Sequence, residues 1–421
     1  GGPEVASNWN PPGFRSSVVE ARRRNSTQIK RKNQQTNQQA TNLPSIHTYN
    51  MSSSPTPTAG VVNLDYNDLL NDSIDLSAEI ERAYGPDGLG ILTVSNVPQF
   101  AELRAQLLPL AHQFASLPQD VKSLYEHPQS NYSFGWSHGK EQFNGKLDVA
   151  KGSFYANPQY DVPTTDESLI QQFPFYCCPN IWPNEHVPDM GDKFKQLGQL
   201  IVRVGLLVAK QCDVYVQQLY KDQVTSTTSD DDEHKFEMKS LYRTIADSKC
   251  TKGRLLYYFP INNKSDGASS ENGDNDNDQD NWCGWHLDHG SLTGLTSAQF
   301  MHGDTGEVMT QLSDPNAGLF IRNRHGELVK AAWRPDQIAF QIGESAQVHS
   351  GGKLVATPHC DRGTKLPNVG RATLAVFMQP QWDVEMNTPT GVAVKDAGID
   401  VLEEGMDFNA FTQKKLAQYY K

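Results

Sequence analysis

Two stretches carry apolar residues at helical spacing. Between residues 100 and 117 they fall at 103, 107, 110, 111 and 114, which predicts an amphipathic helix. Over residues 193–220, Phe194, Leu197, Ile201, Val204, Val208 and Cys212 form one stripe, and Asp189 or Asp192 is placed to cap its start. That stripe reads as the buried face of a core helix. Residues 61–65 and 91–94 have short strand patterns. Beyond about residue 240 the pattern changes. Strands are predicted at 255–259, 318–322, 337–342, 353–357 and 371–378, punctuated by Gly, Pro and Asn. Short strands at this spacing predict a mainly β fold with flanking helices, built on a double-sheet jelly roll. Residues 408–420 read as a last amphipathic helix with Asp407 as its cap.

Residues 1–58 have almost no periodic apolar pattern. They are rich in Ser, Thr, Asn, Gln and Pro, and Arg22, Arg23, Arg24, Lys30, Arg31 and Lys32 cluster there. This reads as a disordered basic segment: a transit sequence, a basic arm or a plain tail. The expected location is cytoplasmic, with a plastid or another organelle as the alternative. The remainder divides into a helix-and-strand region at 59–240, a jelly-roll domain at 241–385 and a C-terminal helix at 386–421. Two acidic polar stretches, 229–233 and 262–281, read as solvated loops.

Composition narrows the partners. The formal charge is -12 and the pI about 5.5, which disfavours binding a phosphate backbone over a broad surface. No apolar run approaches the ~18 residues that a membrane helix needs, and the longest, 201–209, contains Arg203. A monomer acting on a small molecule is expected. The cysteines at 177, 178, 212, 250, 283 and 360 match neither a disulfide framework nor a zinc ribbon, so buried thiols in a reducing compartment are expected.

The candidate chemistry sits in Trp285-His286-Leu287-Asp288-His289. On a strand, residues two apart share a face, so His286 and Asp288 can present an imidazole and a carboxylate to one point. Two histidines and one carboxylate on one side of a metal leave positions open for co-substrate and dioxygen, the arrangement suited to iron(II). The third ligand has to come from elsewhere. His359 is the candidate, delivered by a neighbouring strand after 353–357. A lone H-x-D triplet is weak, since about one chance match is expected. A second one, His302-Gly303-Asp304, falls in a turn-forming Gly303-Asp304-Thr305-Gly306, where strand alternation does not hold.

The wider context strengthens the first triplet. His286 to Thr293 resembles the H-x-D-x-G-x-L-T signature of the 2-oxoglutarate- and iron(II)-dependent dioxygenases of the isopenicillin N synthase-like type. Ile342-Gly343-Glu344 and His349-Ser350-Gly351-Gly352-Lys353 resemble that family's I-G-D and S-N-G-K stretches. His359 then falls where the distal ligand lies, and His349 becomes a strand residue ahead of it. Arg371-Ala372-Thr373 is similar to the family's R-x-S motif, twelve residues after His359. Leu256-Tyr257-Tyr258-Phe259-Pro260 resembles its N-Y-Y-P strand. Looser matches at 63–65, 90–98 and 114–118 extend the resemblance over roughly residues 61 to 385.

The resemblance implies an iron(II) site on His286, Asp288 and His359. It also implies that Arg371, Thr373 and Tyr258, with Tyr257 as fallback, hold the far carboxylate of 2-oxoglutarate. A planar guanidinium fork suits two-point binding of a carboxylate. With dioxygen, such a site oxidises a small organic molecule, by default through hydroxylation, and releases succinate and carbon dioxide. Phe134, Trp136 and Phe154 are candidate substrate contacts, from 132–138 and from 151–155, which resembles the K-E-x-F region. This sequence departs from the family at Thr373, at Leu256 and at His359-Cys360-Asp361-Arg362, where His-Arg-Val is usual. Competing readings are an oxidase on the same fold that needs no 2-oxoglutarate, a zinc-type hydrolase, and a non-catalytic metabolite-binding protein.

Overall fold

The computed structural model describes residues 60–140, 142–143, 146–227, 237–260, 281–310, 314, 317–364 and 366–419. The basic segment at 1–58, the acidic stretch 229–233 and nearly all of the stretch 262–281 lie outside them.

Two sheets carry the fold. The larger runs, in spatial order, β1 (Val62–Asp65), β2 (Ile91–Ser95), β13 (Ile338–Ile342), β9 (Leu292–Thr296), β15 (Val369–Met378), β7 (Lys252–Tyr258), β6 (Lys151–Ala156) and β3 (Gly135–His138), with β10 (Gln299–His302) also on β15. The smaller runs β12 (Leu328–Ala331), β11 (Gly318–Arg322), β14 (His359–Arg362) and β8 (Asn281–His286). A short hairpin, β4 (Gln142–Phe143) with β5 (Lys146–Leu147), stands apart. Except for the parallel β1–β2 pair, the ladders are antiparallel.

Strand alternation gives the larger sheet two different faces. On β15, Ala372, Leu374, Val376 and Met378 join the main core, together with Leu255 and Tyr257 of β7. Helices cover this face. The helix Met190–Thr227 buries Phe194, Leu197, Ile201, Val204, Val208 and Cys212 completely, the stripe its spacing predicts. It begins at Met190, which puts Asp189 at the cap position and extends the predicted helix at both ends. The helix Phe100–Ala115 contributes Leu107, Ala111 and Phe114.

The opposite face meets the smaller sheet. Ile91 and Ala339 pack there with Leu319, Ile321 and Ala331. Leu256, Tyr258 and Ala375 pack with Trp282. This two-sheet sandwich is the predicted jelly roll. All six cysteines are unpaired, and all except the partly exposed Cys283 are buried. No helix among the described residues is long and apolar enough to cross a membrane.

Two expectations fail locally. Residues 353–357 form no strand. Gly351 and Gly352 turn the chain with φ of 60° and 79°, Pro358 follows, and the carbonyls of Val355 and Ala356 accept from the Arg324 guanidinium at 2.8 and 3.0 Å instead of from a neighbouring strand. His349 is not in a strand either, but ends the helix Glu344–His349.

The C-terminal helix Phe408–Tyr419 starts as expected, with Ala410 N–H donating to Asp407 Oδ1 at 2.7 Å. It anchors to the helix Glu344–His349 through a buried ion pair, Lys415 Nζ to Glu344 Oε1 at 2.7 Å, with side chains only 8% and 3% exposed.

This packing can be tested at two points. A Cβ at Gly294, on the helix-facing side of β9, would overlap the stiff Ile201 side chain. Gly294→Ala should cost about 1–3 kcal/mol in urea unfolding, and the extra cost should shrink in an Ile201→Ala background. Lys415→Met strands the Glu344 carboxylate and should cost about 3–5 kcal/mol. Combining it with Glu344→Gln should recover part of that loss in the same measurement.

Candidate metal centre

β8 ends at His286 and β14 begins at His359, and the two residues are direct partners across the antiparallel pair. Their ring centroids are 4.2 Å apart. Asp288 comes from the loop after β8, not from the strand itself as simple alternation predicts. Its Oδ1 still lies 3.8 Å from His286 Nε2 and 3.9 Å from His359 Nε2. Among the described residues this is the one His/Asp group with metal-site spacing, one ligand atom of each lying within 4.8 Å of the others. His302 is exposed, and Asp304 accepts from Asn368 Nδ2 at 2.9 Å, so the second triplet forms no such group.

Backbone contacts hold the Asp288 loop. Glu344 N–H donates to Asp288 O at 2.8 Å and Ser345 N–H to Gly290 O at 3.1 Å, while Ser345 Oγ donates to His289 O at 2.6 Å. The N-terminus of the helix Glu344–His349 is thereby stitched to the ligand loop. Gly343 makes this approach possible, because a Cβ there would overlap the Gly290 carbonyl.

The imidazoles are oriented from behind. His286 Nδ1–H donates to Gly284 O at 2.8 Å. His359 Nδ1 lies 3.2 Å from Thr357 O, which only accepts, so this nitrogen carries the proton. As placed, Gln341 Nε2 lies 2.6 Å from the same nitrogen, a donor facing a donor; turning the amide so that its oxygen faces the ring removes this conflict. The Nε2 of each ring faces Asp288. Burial tends to lower His286, but Cys283, Asp288 and the Gly284 carbonyl raise it to about 9, so its Nε2 gives up a proton when it binds a cation. Burial tends to raise the Asp288 carboxyl, but His359 and His286 hold it below the usual range. Burial, and next His286, push His359 down to about 4, so its imidazole is neutral near pH 7. An ionised carboxylate and imidazole nitrogens form the donor set that a divalent cation takes.

The second predicted cluster lies beside the first. Arg371 and Tyr258 are partners across β15 and β7. Arg371 Nη2 donates to Asp361 Oδ1 at 2.8 Å, and Tyr258 Oη donates to Asp361 Oδ2 at 2.9 Å. Tyr257, the fallback, points to the helix face and packs edge-on against His112. Thr373 shares the Arg371 side of β15, but its hydroxyl donates to Thr296 O at 3.1 Å and contacts Thr296 Oγ1 at 3.2 Å.

Asp361 did not figure among the expected site residues. The signal was available: His359-Cys360-Asp361 is itself an H-x-D triplet, and on a strand it puts Asp361 on the ligand's face.

The substrate candidates are corrected. Trp136 and Phe154 are partners on the helix-facing side of β3 and β6, each about 5.1 Å from the Phe114 ring. Phe134 is fully buried under Lys252, whose Nζ is 3.3 Å from its ring centre. Lys252 is six residues from Tyr258 along β7, roughly 20 Å at strand rise. The side of β3 and β6 that shares a face with Tyr258 carries Ser137, Lys151 and Ser153 instead, and with Arg254 they line a small cleft.

Comparison with known proteins gives the same outline. A family described as the N-terminal region of a non-haem dioxygenase in morphine synthesis matches residues 61–185. No curated protein matches the sequence. Among solved structures, a 2OG-Fe(II) oxygenase family protein from Caulobacter crescentus is 18% identical with a TM-score of 0.57, over 86% of this chain and 99% of that one. A full-length Neurospora crassa protein, solved in complex with alpha-KG, is 17% identical with a TM-score of 0.58, over 85% and 96%. JOX2, solved with 2OG, Fe and JA, is 14% identical with a TM-score of 0.55, over 88% and 91%. At these identities the solved structures speak for the fold, and the family match for the N-terminal region. The match over residues 61–185, the shared fold and the His-Asp-His group make the chain similar to 2-oxoglutarate-dependent, non-haem iron dioxygenases, in keeping with its resemblance to the isopenicillin N synthase-like type.

Proposed function

We propose that this protein oxidises a small organic molecule, by hydroxylation, at an iron(II) held by His286, Asp288 and His359. The observation that carries this reading is the convergence of two imidazole nitrogens and one ionised carboxylate between the sheets. Bound there, iron would couple dioxygen and 2-oxoglutarate to substrate oxidation, with succinate and carbon dioxide as co-products.

The chain's own groups divide the work. His286 and His359 present Nε2 because Gly284 O and Thr357 O fix their other nitrogens. Arg371 and Tyr258 supply donors for the far carboxylate of 2-oxoglutarate. The apolar walls, Leu256, Trp282 and Ala375, keep bulk water from that end. On the same face Arg254 Nε donates to Ser153 Oγ at 2.9 Å and Lys151 pairs with Asp148. Small molecules also accompany the solved relatives: the Neurospora crassa protein was solved with thymine and with 5-formyluracil, and JOX2 with JA.

One observation favours a second reading, an oxidase on this fold that needs no 2-oxoglutarate: Asp361 already lies against Arg371. Co-substrate dependence of oxygen uptake separates the two.

The direct test is succinate release from 2-oxoglutarate by purified protein with iron(II) and ascorbate, screened against a metabolite extract. Activity should fall to background in His286→Ala; equal turnover by that variant would sink the metal assignment. Arg371→Lys keeps the charge but loses the fork, so the 2-oxoglutarate concentration for half-maximal rate should rise roughly 10- to 100-fold. An unchanged requirement would remove Arg371 from co-substrate binding.

A further inference from the structure

Arg371 and Asp361 form a buried pair whose partners do not balance. The Arg371 side chain is only 7% exposed and that of Asp361 16%. Asp361 uses both carboxylate oxygens, one on Arg371 Nη2 and one on the Tyr258 hydroxyl. Among the described residues Arg371 makes that single hydrogen bond, and its Nε and Nη1 are buried with no hydrogen-bond partner. A buried donor without a partner costs roughly 1–3 kcal/mol, and more on a charged group. The guanidinium therefore has a counter-charge but an unfilled donor set.

Nη2 is the nitrogen common to both two-point faces of a guanidinium, the Nε–Nη2 side and the Nη1–Nη2 end. A second carboxylate arriving at Arg371 must either share Nη2 with Asp361 or displace it. Sharing puts two carboxylates on one cation between apolar walls, where like charges repel strongly. Position reinforces the conflict. Asp361 is two residues from His359 on β14, roughly 7 Å along the strand, a separation that a short dicarboxylate bridging metal and guanidinium can span. The rings of Tyr258 and Trp282 stack 5.2 Å apart, with the guanidinium 4.7 Å from Tyr258 and 5.8 Å from Trp282, so there is little side room.

We propose that Asp361 is a built-in carboxylate that neutralises Arg371 in the absence of co-substrate and competes with the far carboxylate of 2-oxoglutarate. It is then an affinity-determining residue. It weakens co-substrate binding by the fraction of molecules in which it holds Nη2, and it keeps a buried guanidinium from standing unpaired between turnovers. This inference rests on the 2-oxoglutarate reading of the site given above.

The test is anaerobic calorimetry of the iron(II)-loaded protein with 2-oxoglutarate and, separately, with pyruvate. Pyruvate has the same 2-oxo acid end but lacks the far carboxylate. Asp361→Asn keeps shape and removes charge, and Asp361→Ala removes the competitor entirely. Iron binding and the melting temperature, measured on each variant, report whether it is folded; either variant alone decides the question. Binding of 2-oxoglutarate should tighten at least about tenfold, while pyruvate binding stays unchanged. The stabilisation of Asp361→Ala by saturating 2-oxoglutarate should also exceed that of wild type, because the ligand then supplies the missing counter-charge. Equal or weaker 2-oxoglutarate binding in a folded, iron-loaded variant would overturn the competition. Failure of wild type and variants alike to bind 2-oxoglutarate while still binding iron would overturn the co-substrate reading, and the inference with it.

Discussion

Three buried sets of ionisable groups in this fold face partners of opposite sign. Asp288 faces two imidazoles, Arg371 faces Asp361, and Glu344 faces Lys415. A buried charge without a partner destabilises a fold by several kcal/mol. The elements that bring these partners together are thus held as firmly as the apolar core. The first two matches join the smaller sheet or its adjoining loop to the site, and the third ties the C-terminal helix to the segment that fixes the Asp288 loop.

Ladder register converts this requirement into geometry. His286 and His359 meet because β8 and β14 pair them directly. Tyr258 and Arg371 meet because β7 and β15 do the same in the other sheet. Asp361, two residues beyond His359, reaches across to both. A one-residue slip in either ladder would turn these side chains to the opposite face. The covering helices protect the register by close approach at Gly294 and Gly205, where Ile201 of the helix meets β9 and Met378 of β15 meets the helix.

The N-terminal part of the chain is not a separate layer. β1 and β2 extend the larger sheet at one end, and β3 and β6 at the other. The region matched at 61–185 therefore supplies sheet edges, the cleft residues Ser137, Lys151 and Ser153, and the helix that covers Trp136 and Phe154.

By itself the sequence determined the two long helices and most of the strands, and it singled out the three residues that converge as the His-Asp-His group. Those signals are local: a repeating apolar stripe, alternation, and a triplet followed by Gly-Ser-Leu-Thr. It also placed Tyr258 ahead of Tyr257, and the ladder pairs Tyr258 with Arg371. Tertiary structure alone decided which faces meet. Aromatic character in 132–138 and 151–155 predicts burial equally well on either side of a sheet, so only the helix packing shows that Trp136 and Phe154 turn away from the site. The apolar run at 353–357 looked like a strand, but a strand needs a partner, and here Arg324 takes the carbonyls instead. Asp361 was visible as a letter in the sequence. Its role depends on a guanidinium ten residues later being folded back against it, a long-range charge match that no local pattern encodes.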